Sequence, residues 1–350
     1  MSCNIALITG ANSMDAKTLT HLLLSKGYKV ILTYRRNSYF DEQNIKNLFR
    51  QDLIENTSSE LLLEVCDISC QNSVNECIKS ILRQHSRIDE IYMLAAMSHV
   101  GNSYKQKELC IQTNGMSYYY FLEAVKNLTS KTKLYGALTT ELFAGTGEAV
   151  NEESPWRPKT PYAISKALAG RWIQFYRESK DSGIFACFGI LGNHSNQYRS
   201  LDFAIRKITN AAAQIALGKK NSLVMAHTNW ARDEHWSDFG CEMMWRMLQQ
   251  PNPEDFAIGT GIIHHAEEYL YLAFNYFNLD FKKYLKLDES LSRPNEVHYL
   301  LVNSQKAQKK LGWKPQRMSF KNHIELMCQY DYALEKGEKP ERPNVFKLYA

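Results

Sequence analysis

Short apolar runs and amphipathic stretches take turns through the first half of the chain. Asn4-Ile-Ala-Leu-Ile-Thr9 is a compact run of strand formers closed by Gly10, and helical apolar spacing follows from Asp15 to Ser25. Gly27-Tyr-Lys-Val-Ile-Leu-Thr33 repeats the strand pattern. Further strands are predicted at Leu61–Val65, Glu90–Ala96, Lys133–Leu138 and Ile184–Leu191, and helices near 41–50, 69–84, 107–127 and 161–180. Strands that alternate with helices pair in parallel through right-handed crossovers. Six or seven of them make a doubly wound α/β sheet, whose ligands gather beyond the C-terminal strand ends.

The pattern loosens in the second half. Helices are predicted near 201–217, 237–249, 265–277 and 304–311, interrupted by short strands at Ser222–Met225 and Ala257–Gly259. There is no repeat, linker or low-complexity stretch to mark a tethered module. The fold expected is a doubly wound parallel Rossmann sheet with a smaller, interleaved C-terminal lobe. Residues 1–190 would form the dinucleotide-binding domain, with later segments returning to it. Residues 191–350 would mainly form the lobe for a second ligand. The polar tail Glu335-Lys-Gly-Glu-Lys-Pro-Glu-Arg-Pro343 is expected to be mobile.

Composition narrows the class. Charged residues are 23% and apolar ones 44%, the balance of a soluble enzyme. The net charge is +5 and the basic residues are scattered, which suits a small anionic ligand and argues against nucleic acid. The eight cysteines have no framework spacing, and Cys66-x3-Cys70 lacks a second pair, so neither disulfides nor a metal is expected. Strand-like residues begin at Asn4 and no apolar stretch has the length of a membrane span. A cytoplasmic protein with reduced thiols and no membrane partner is expected.

Candidate chemistry collects at the predicted strand ends. Gly10-Ala-Asn12-Ser13-Met14-Asp15-Ala16 fills the first strand-to-helix turn, where small residues and a helix N-terminus suit a pyrophosphate. Arg35 and Arg36 end the second strand. They would accommodate a 2′-phosphate, which points to NADP, or else form a solvated basic turn. Asp67, followed by Ile68, could bind an adenine amine or cap a helix. Ala95-Ala96 offers small side chains beside a flat dinucleotide. Tyr162 and Lys166, four residues apart, share a helix face, where the ammonium lowers the phenol's pKa and lets it take a proton. Thr139-Thr140-Glu141, after an apolar run, adds a carboxylate base. Together these groups suit alcohol oxidation followed by loss of a proton beside the new carbonyl.

With these motifs the chain resembles the extended short-chain dehydrogenase/reductase family, closest to its GDP-mannose 4,6-dehydratases. The resemblance is carried by Ala6-Leu-Ile-Thr-Gly10, Tyr34-Arg-Arg-Asn-Ser38, Thr139-Thr-Glu-Leu-Phe143, Pro161-Tyr-Ala-Ile-Ser-Lys166, Gly189-Ile-Leu-Gly-Asn-His194, Arg206-Lys-Ile208, Arg232-Asp233, Arg293-Pro-Asn-Glu-Val297 and Leu311-Gly-Trp-Lys-Pro315. It implies an NADP-dependent dehydratase of GDP-mannose or a related GDP-sugar. In that scheme Tyr162 with Lys166 deprotonates the C4 hydroxyl, Thr139 holds the C4 oxygen, and Glu141 takes the C5 proton as water leaves C6. Ser98 and His194 would line the cofactor. Ser98, Asn193, Lys207, Arg232, Arg293 and Glu296 would face the sugar nucleotide.

Three departures bear on the substrate. Ser13 and Ala16 replace glycines, Ser195-Asn-Gln-Tyr-Arg199-Ser replaces Glu-Ser-Pro-Arg-Arg-Gly, and Glu234-His-Trp236 replaces Trp-Gly-His. In the family, the segment corresponding to Arg35–Asn44 reaches a neighbouring subunit, which implies a homodimer or homotetramer. The alternatives are a 4-epimerase or keto-sugar reductase of the same fold, or a nucleotide-binding relative without turnover.

Overall fold

The computed structural model describes residues 3–36, 42–50, 53, 56, 58–126, 128, 132–180 and 183–349. The segment from Asn37 to Asp41, part of the stretch expected to reach a neighbouring subunit, lies outside the described residues. The chain divides into two compact units. One comprises Met1–Leu142, Trp156–Ile190 and Cys241–Phe256, and the other Phe143–Pro155, Leu191–Gly240 and Ala257–Ala350.

The first unit is built on a seven-stranded sheet. Its strands are β1 (Ile5–Thr9), β2 (Lys29–Tyr34), β3 (Glu60–Val65), β4 (Glu90–Met93), β5 (Lys133–Thr139), β6 (Phe185–Leu191) and β7 (Phe256–Ile258), in the order β3-β2-β1-β4-β5-β6-β7. β1 pairs in parallel with β2 and β4, β2 with β3, and β4 with β5. Every residue of β1 is buried, as its unbroken apolar run requires of a strand covered on both faces. The winding reverses between β1 and β4, which makes the C-terminal ends of these two strands the switch point where ligands bind in such sheets.

Two predicted elements differ in this unit. The strand expected over Glu90–Ala96 stops at Met93. The Thr9 hydroxyl captures the Leu94 and Ala95 N–H groups at 2.9 Å each, lifting that segment out of the sheet's ladder. The single helix expected over 107–127 is instead α-helical at Lys107–Ile111, a π-turn at Gln112–Met116, and α-helical again at Ser117–Lys126. π-turns inside helices often mark functional positions.

The second unit has at its centre the strand Ala231–Trp236. It pairs with Ile263–His265, Tyr299–Val302 and Asn193–Ser195, and Tyr299–Val302 pairs in turn with Ala149–Val150. All six residues of the central strand are buried although four of them are Arg, Asp, Glu and His. Each of the three charged residues is satisfied locally. Asp233 accepts from Thr260 N, Thr260 Oγ1, Gly261 N and Val302 N at 2.6–3.2 Å. Glu234 accepts from the Ser195 hydroxyl at 2.7 Å and from Tyr269 at 3.3 Å. Arg232 donates to the backbone carbonyls of Ala231, Val297 and His298 at 2.6–2.9 Å.

Two further findings revise the sequence reading. A helix not predicted from the pattern spans Phe320–Glu335. The tail expected to be mobile is anchored: Arg342 pairs with the buried Asp238, and Val345 is fully buried. All eight cysteines are free thiols. Among the described residues, no helix is long and apolar enough to cross a membrane, and no cluster of His, Cys, Asp and Glu could hold a metal ion.

Candidate active site

The first unit brings Tyr162, Lys166, Thr139 and Glu141 to the C-terminal end of β5. Helix Pro161–Glu178 starts where it does because Thr160 caps it, its hydroxyl accepting Ala163 N–H at 3.0 Å, and Pro161 sits at the tolerant first position. The Tyr162 N–H donates to the Ser103 hydroxyl at 3.3 Å. Four residues on, the Lys166 ammonium lies 6.0 Å from the centroid of the Tyr162 ring. It donates to the Ala137 carbonyl at 2.8 Å. Burial lowers the Lys166 pKa to about 8, with Cys110 and Asp15 pulling the other way.

Ala137 is the hub that fixes this geometry. Its N–H donates to the Tyr118 hydroxyl at 3.2 Å, and that hydroxyl donates to the Met93 carbonyl at 3.1 Å. The ends of β4 and β5 are thereby tied together and to Lys166. Two residues further, the chain enters a 3-10 turn, Thr140–Phe143, with the Glu141 N–H donating to Thr139 Oγ1 at 3.2 Å. This turn sets the hydroxyl and the carboxylate on one short segment, and Glu141 Oε2 is buried.

The π-turn supplies a residue that the sequence reading missed. Asn114 accepts Met97 N–H at 2.8 Å and donates to Met97 O at 3.1 Å, to Ser165 Oγ at 3.2 Å and to Cys110 Sγ at 3.4 Å. One fully buried amide thus locks the segment carrying Ala95, Ala96 and Ser98 against the helix carrying Tyr162 and Lys166. Thr113-Asn114-Gly115, a polar break in an apolar helical pattern, was the available signal. Gly115 lets the helices approach there, since a Cβ would lie 2.8 Å from the end of the Leu168 side chain and 3.1 Å from the Ser165 carbonyl, so both would have to shift.

At the switch point Gly10 has φ +85°, and a Cβ on it would stand 2.8 Å from Ala95 Cα. The close crossing of the first turn over Ala95 therefore depends on glycine twice, for conformation and for space. Ser13 caps the next helix, accepting Ala16 N–H at 3.2 Å, so the turn presents a helix N-terminus directly after β1. Asn12 is exposed, Met14 is buried, and Asp15 lies in the first helical turn. Asp67 does not cap the helix Gln71–His85, whose N-cap is Cys70. It folds an Asx-turn, Oδ1 accepting Ser69 N–H at 3.0 Å and Ser69 Oγ at 2.6 Å, beside the buried Ile68. These features fit a dinucleotide: a backbone cradle, a helix N-terminus and a carboxylate, each at a strand's C-terminal end. Gly10→Ala is expected to cost about 1–3 kcal/mol in backbone strain. It should weaken dinucleotide binding at least about tenfold, read by fluorescence titration alongside a thermal melt.

The second unit carries the remaining candidates. His194 lies on the strand Asn193–Ser195, its Nδ1 2.9 Å from the Gly192 carbonyl and its ring stacked on His235. Arg232 spends several donors on carbonyls and so shapes the loop at Val297 and His298. Arg293 forks onto Glu296, Nε to Oε2 at 2.9 Å and Nη2 to Oε1. Burial pushes the Glu296 carboxyl up, but Arg293, Arg232 and His227 outweigh it and hold the group below the usual carboxylate range. Lys207 on the helix Ala204–Ala216 is pushed down by burial and by Lys220.

A family model described as GDP-mannose 4,6 dehydratase matches residues 7–327. GDP-mannose 4,6 dehydratase 2 of Arabidopsis thaliana is 36% identical over 340 residues, covering 96% of this chain and 88% of its own length. GDP-mannose 4,6-dehydratase of Vibrio cholerae is 33% identical over 375 residues, covering 98% and 96%. A solved dTDP-glucose 4,6-dehydratase from Streptomyces venezuelae, with NAD and TYD bound, superposes with a TM-score of 0.78 at 18% identity over 96% of this chain and 99% of its own. At that identity the likeness speaks for the fold. The comparisons correct the expectation of NADP. NAD is bound in five of the similar solved structures, against NADPH in one from Pseudomonas aeruginosa. The inference from Arg35 and Arg36 was too strong, because both side chains are exposed, as in any solvated basic turn.

Proposed function

Since the chain belongs to the GDP-mannose 4,6-dehydratase family, we propose that it removes water across C5 and C6 of GDP-mannose or a related GDP-sugar, giving the 4-keto-6-deoxy product. The observation that carries this reading is the Thr139–Glu141 turn at the end of the strand whose Ala137 carbonyl holds Lys166. An epimerase moves only a hydride at C4, whereas a dehydratase also needs a base for the C5 proton.

The residues divide the work as follows. Lys166 stabilises the ionised Tyr162, which takes the proton of the C4 hydroxyl. Thr139 donates to the C4 oxygen and steadies its developing charge. Once C4 is a carbonyl its neighbour C5 is acidic. Glu141 takes that proton, and in its protonated form assists departure of the C6 hydroxyl as water. A nicotinamide dinucleotide held there would supply the hydride acceptor for C4 and the hydride donor for C6, and C5 would regain a proton from solvent as C6 is reduced, so the redox and proton balance closes within one turnover. Gly10, Asn12, Ser13, Met14, Asp15, Asp67, Ile68, Ala95, Ala96, Ser98 and His194 are the groups assigned to hold it. Asn193, Lys207, Arg232, Arg293 and Glu296 are assigned to the nucleotide half of the substrate.

The test is incubation with GDP-mannose and a catalytic amount of NAD. The expected result is a product lighter by one water, with no net change in cofactor. Inversion at C4 without loss of mass would replace this reading with the epimerase. We further place the protein in the cytoplasm as a homodimer or homotetramer. Ile164 and Phe175, 50% and 60% exposed on the helix Pro161–Glu178, support self-association.

A further inference from the structure

The loop after His194 is held from two sides, and one of the two holds comes from the far end of the chain. On one side Arg206 donates to the carbonyls of Gln197 and Arg199. On the other stands Asp238, 1% exposed in the first turn of the helix Ser237–Leu248. Its Oδ2 accepts Asn196 Nδ2–H at 3.1 Å, and its Oδ1 accepts from Arg342 Nη2. Asn196 passes the constraint on, its Oδ1 accepting Tyr198 N–H at 2.9 Å and its carbonyl accepting Arg199 N–H at 3.0 Å. Burial pushes the Tyr198 phenol up, with Arg342 pulling it down and Asp238 adding to the rise, so the loop's tyrosine faces the same pair.

Arg342 reaches Asp238 because the chain beyond it is docked. Val345 is fully buried. The Phe346 ring meets Phe239 edge-on at 5.6 Å, and the Arg317 guanidinium lies 4.8 Å from the Phe239 centroid and 5.2 Å from that of Phe346. Arg317 Nε also donates to the Tyr349 carbonyl at 2.6 Å. By contrast residues 336–339, which join this segment to the helix Phe320–Glu335, are all exposed. The segment can thus leave its seat without unwinding the helix, but not without consequence for the loop. A carboxylate as buried as that of Asp238 does not stay ionised and unpaired. Loss of Arg342 admits water to Asp238, and that water competes for Asn196. Docking of the tail and order in the loop are therefore one equilibrium.

We propose that residues 342–349 form a strap that sets the loop after His194, and that Arg342, acting through Asp238 and Asn196, is a positioning residue for the sugar nucleotide. This rests on the GDP-sugar reading above, in which Asn193 and His194 lead into that loop and face substrate and cofactor. The sequence pattern did not announce the strap, because Val345-Phe346 is too short an apolar run to mark a docked segment after a polar stretch.

The experiment compares the intact wild type with Arg342→Ala and Arg342→Lys. Hydrogen–deuterium exchange, read by mass spectrometry without substrate, should be at least about tenfold faster over residues 196–203 in Arg342→Ala and unchanged in the helix Phe320–Glu335. KM for GDP-mannose should rise at least about tenfold with kcat within about threefold of wild type, the mark of binding lost equally in ground and transition state. Arg342→Lys, which keeps the cation, should recover part of both effects. Loop exchange equal to that of the wild type overturns the proposal. So does faster exchange spread through the helices Ala204–Ala216 and Phe320–Glu335, which makes the tail a general prop of the unit, and so does an unchanged KM with a loosened loop. A wild type that does not turn over GDP-mannose sinks the GDP-sugar reading alone, since the exchange comparison needs no substrate and still decides whether the strap orders the loop.

Discussion

Glu141→Gln is expected to lower the rate of 4-keto-6-deoxy sugar formation by about 10²–10⁴, the usual worth of a positioned general base. The substitution is close to isosteric. It leaves the Glu141 N–H to Thr139 Oγ1 bond, and hence the turn Thr140–Phe143, intact. What changes is the ability of a half-buried side chain, with its Oε2 covered, to accept a proton from carbon. In the proposed mechanism oxidation at C4 falls to Tyr162 and Lys166, which the change does not touch, so reversible reaction at C4 should persist while elimination stops. Solvent deuterium makes the distinction. The wild type should place deuterium at C5 of its product, and the variant should place almost none there even in recovered substrate. KM for the GDP-sugar should move little, because the lost interaction belongs to the transition state. Unimpaired turnover by Glu141→Gln would remove this residue from the mechanism and leave the Thr139 segment as a structural turn.

How far such a site can be read from letters depends on what buries each element. The strands of the first unit were legible because burial on both faces demands long apolar runs, as in Ile5–Thr9. The Tyr162–Lys166 pair was legible because helix geometry turns a four-residue spacing into a shared face. The central strand of the second unit was not. Arg232, Asp233 and Glu234 are buried on the strength of hydrogen bonds made mostly to residues 27 or more positions away, and periodicity of hydrophobic residues cannot register that. Asn114 escaped for a related reason: a π-turn rotates it onto Met97 and Ser165, positions that regular helical spacing does not predict. The cofactor inference failed differently. Two exposed arginines at a strand end are chemically able to meet a 2′-phosphate, but ability is weaker evidence than a side chain held in place.

Asp331→Ala is expected to destabilise the second unit by about 3–5 kcal/mol, the cost of stripping one partner from a buried ion pair. Asp331 is fully buried on the helix Phe320–Glu335, the element that the hydrophobic pattern did not announce. Its Oδ1 accepts Arg206 Nε at 2.6 Å and its Oδ2 accepts Thr209 Oγ1 at 2.6 Å, both from the helix Ala204–Ala216. Arg206 also donates to the carbonyls of Gln197 and Arg199, which lie in the loop after His194. Removing the carboxylate leaves the guanidinium buried with only part of its partners, and this desolvated charge, more than the lost attraction, sets the size of the effect. If the cost is the orphaned cation, then replacing both partners with apolar residues, Arg206→Met with Asp331→Leu, should recover much of the stability lost in Asp331→Ala. Urea unfolding of the three proteins, followed by tryptophan fluorescence, measures this directly. A double variant no more stable than Asp331→Ala would mean that the pair is needed for the hydrogen bonds to Thr209, Gln197 and Arg199 rather than for charge balance, and that the loop after His194 owes its shape to Arg206.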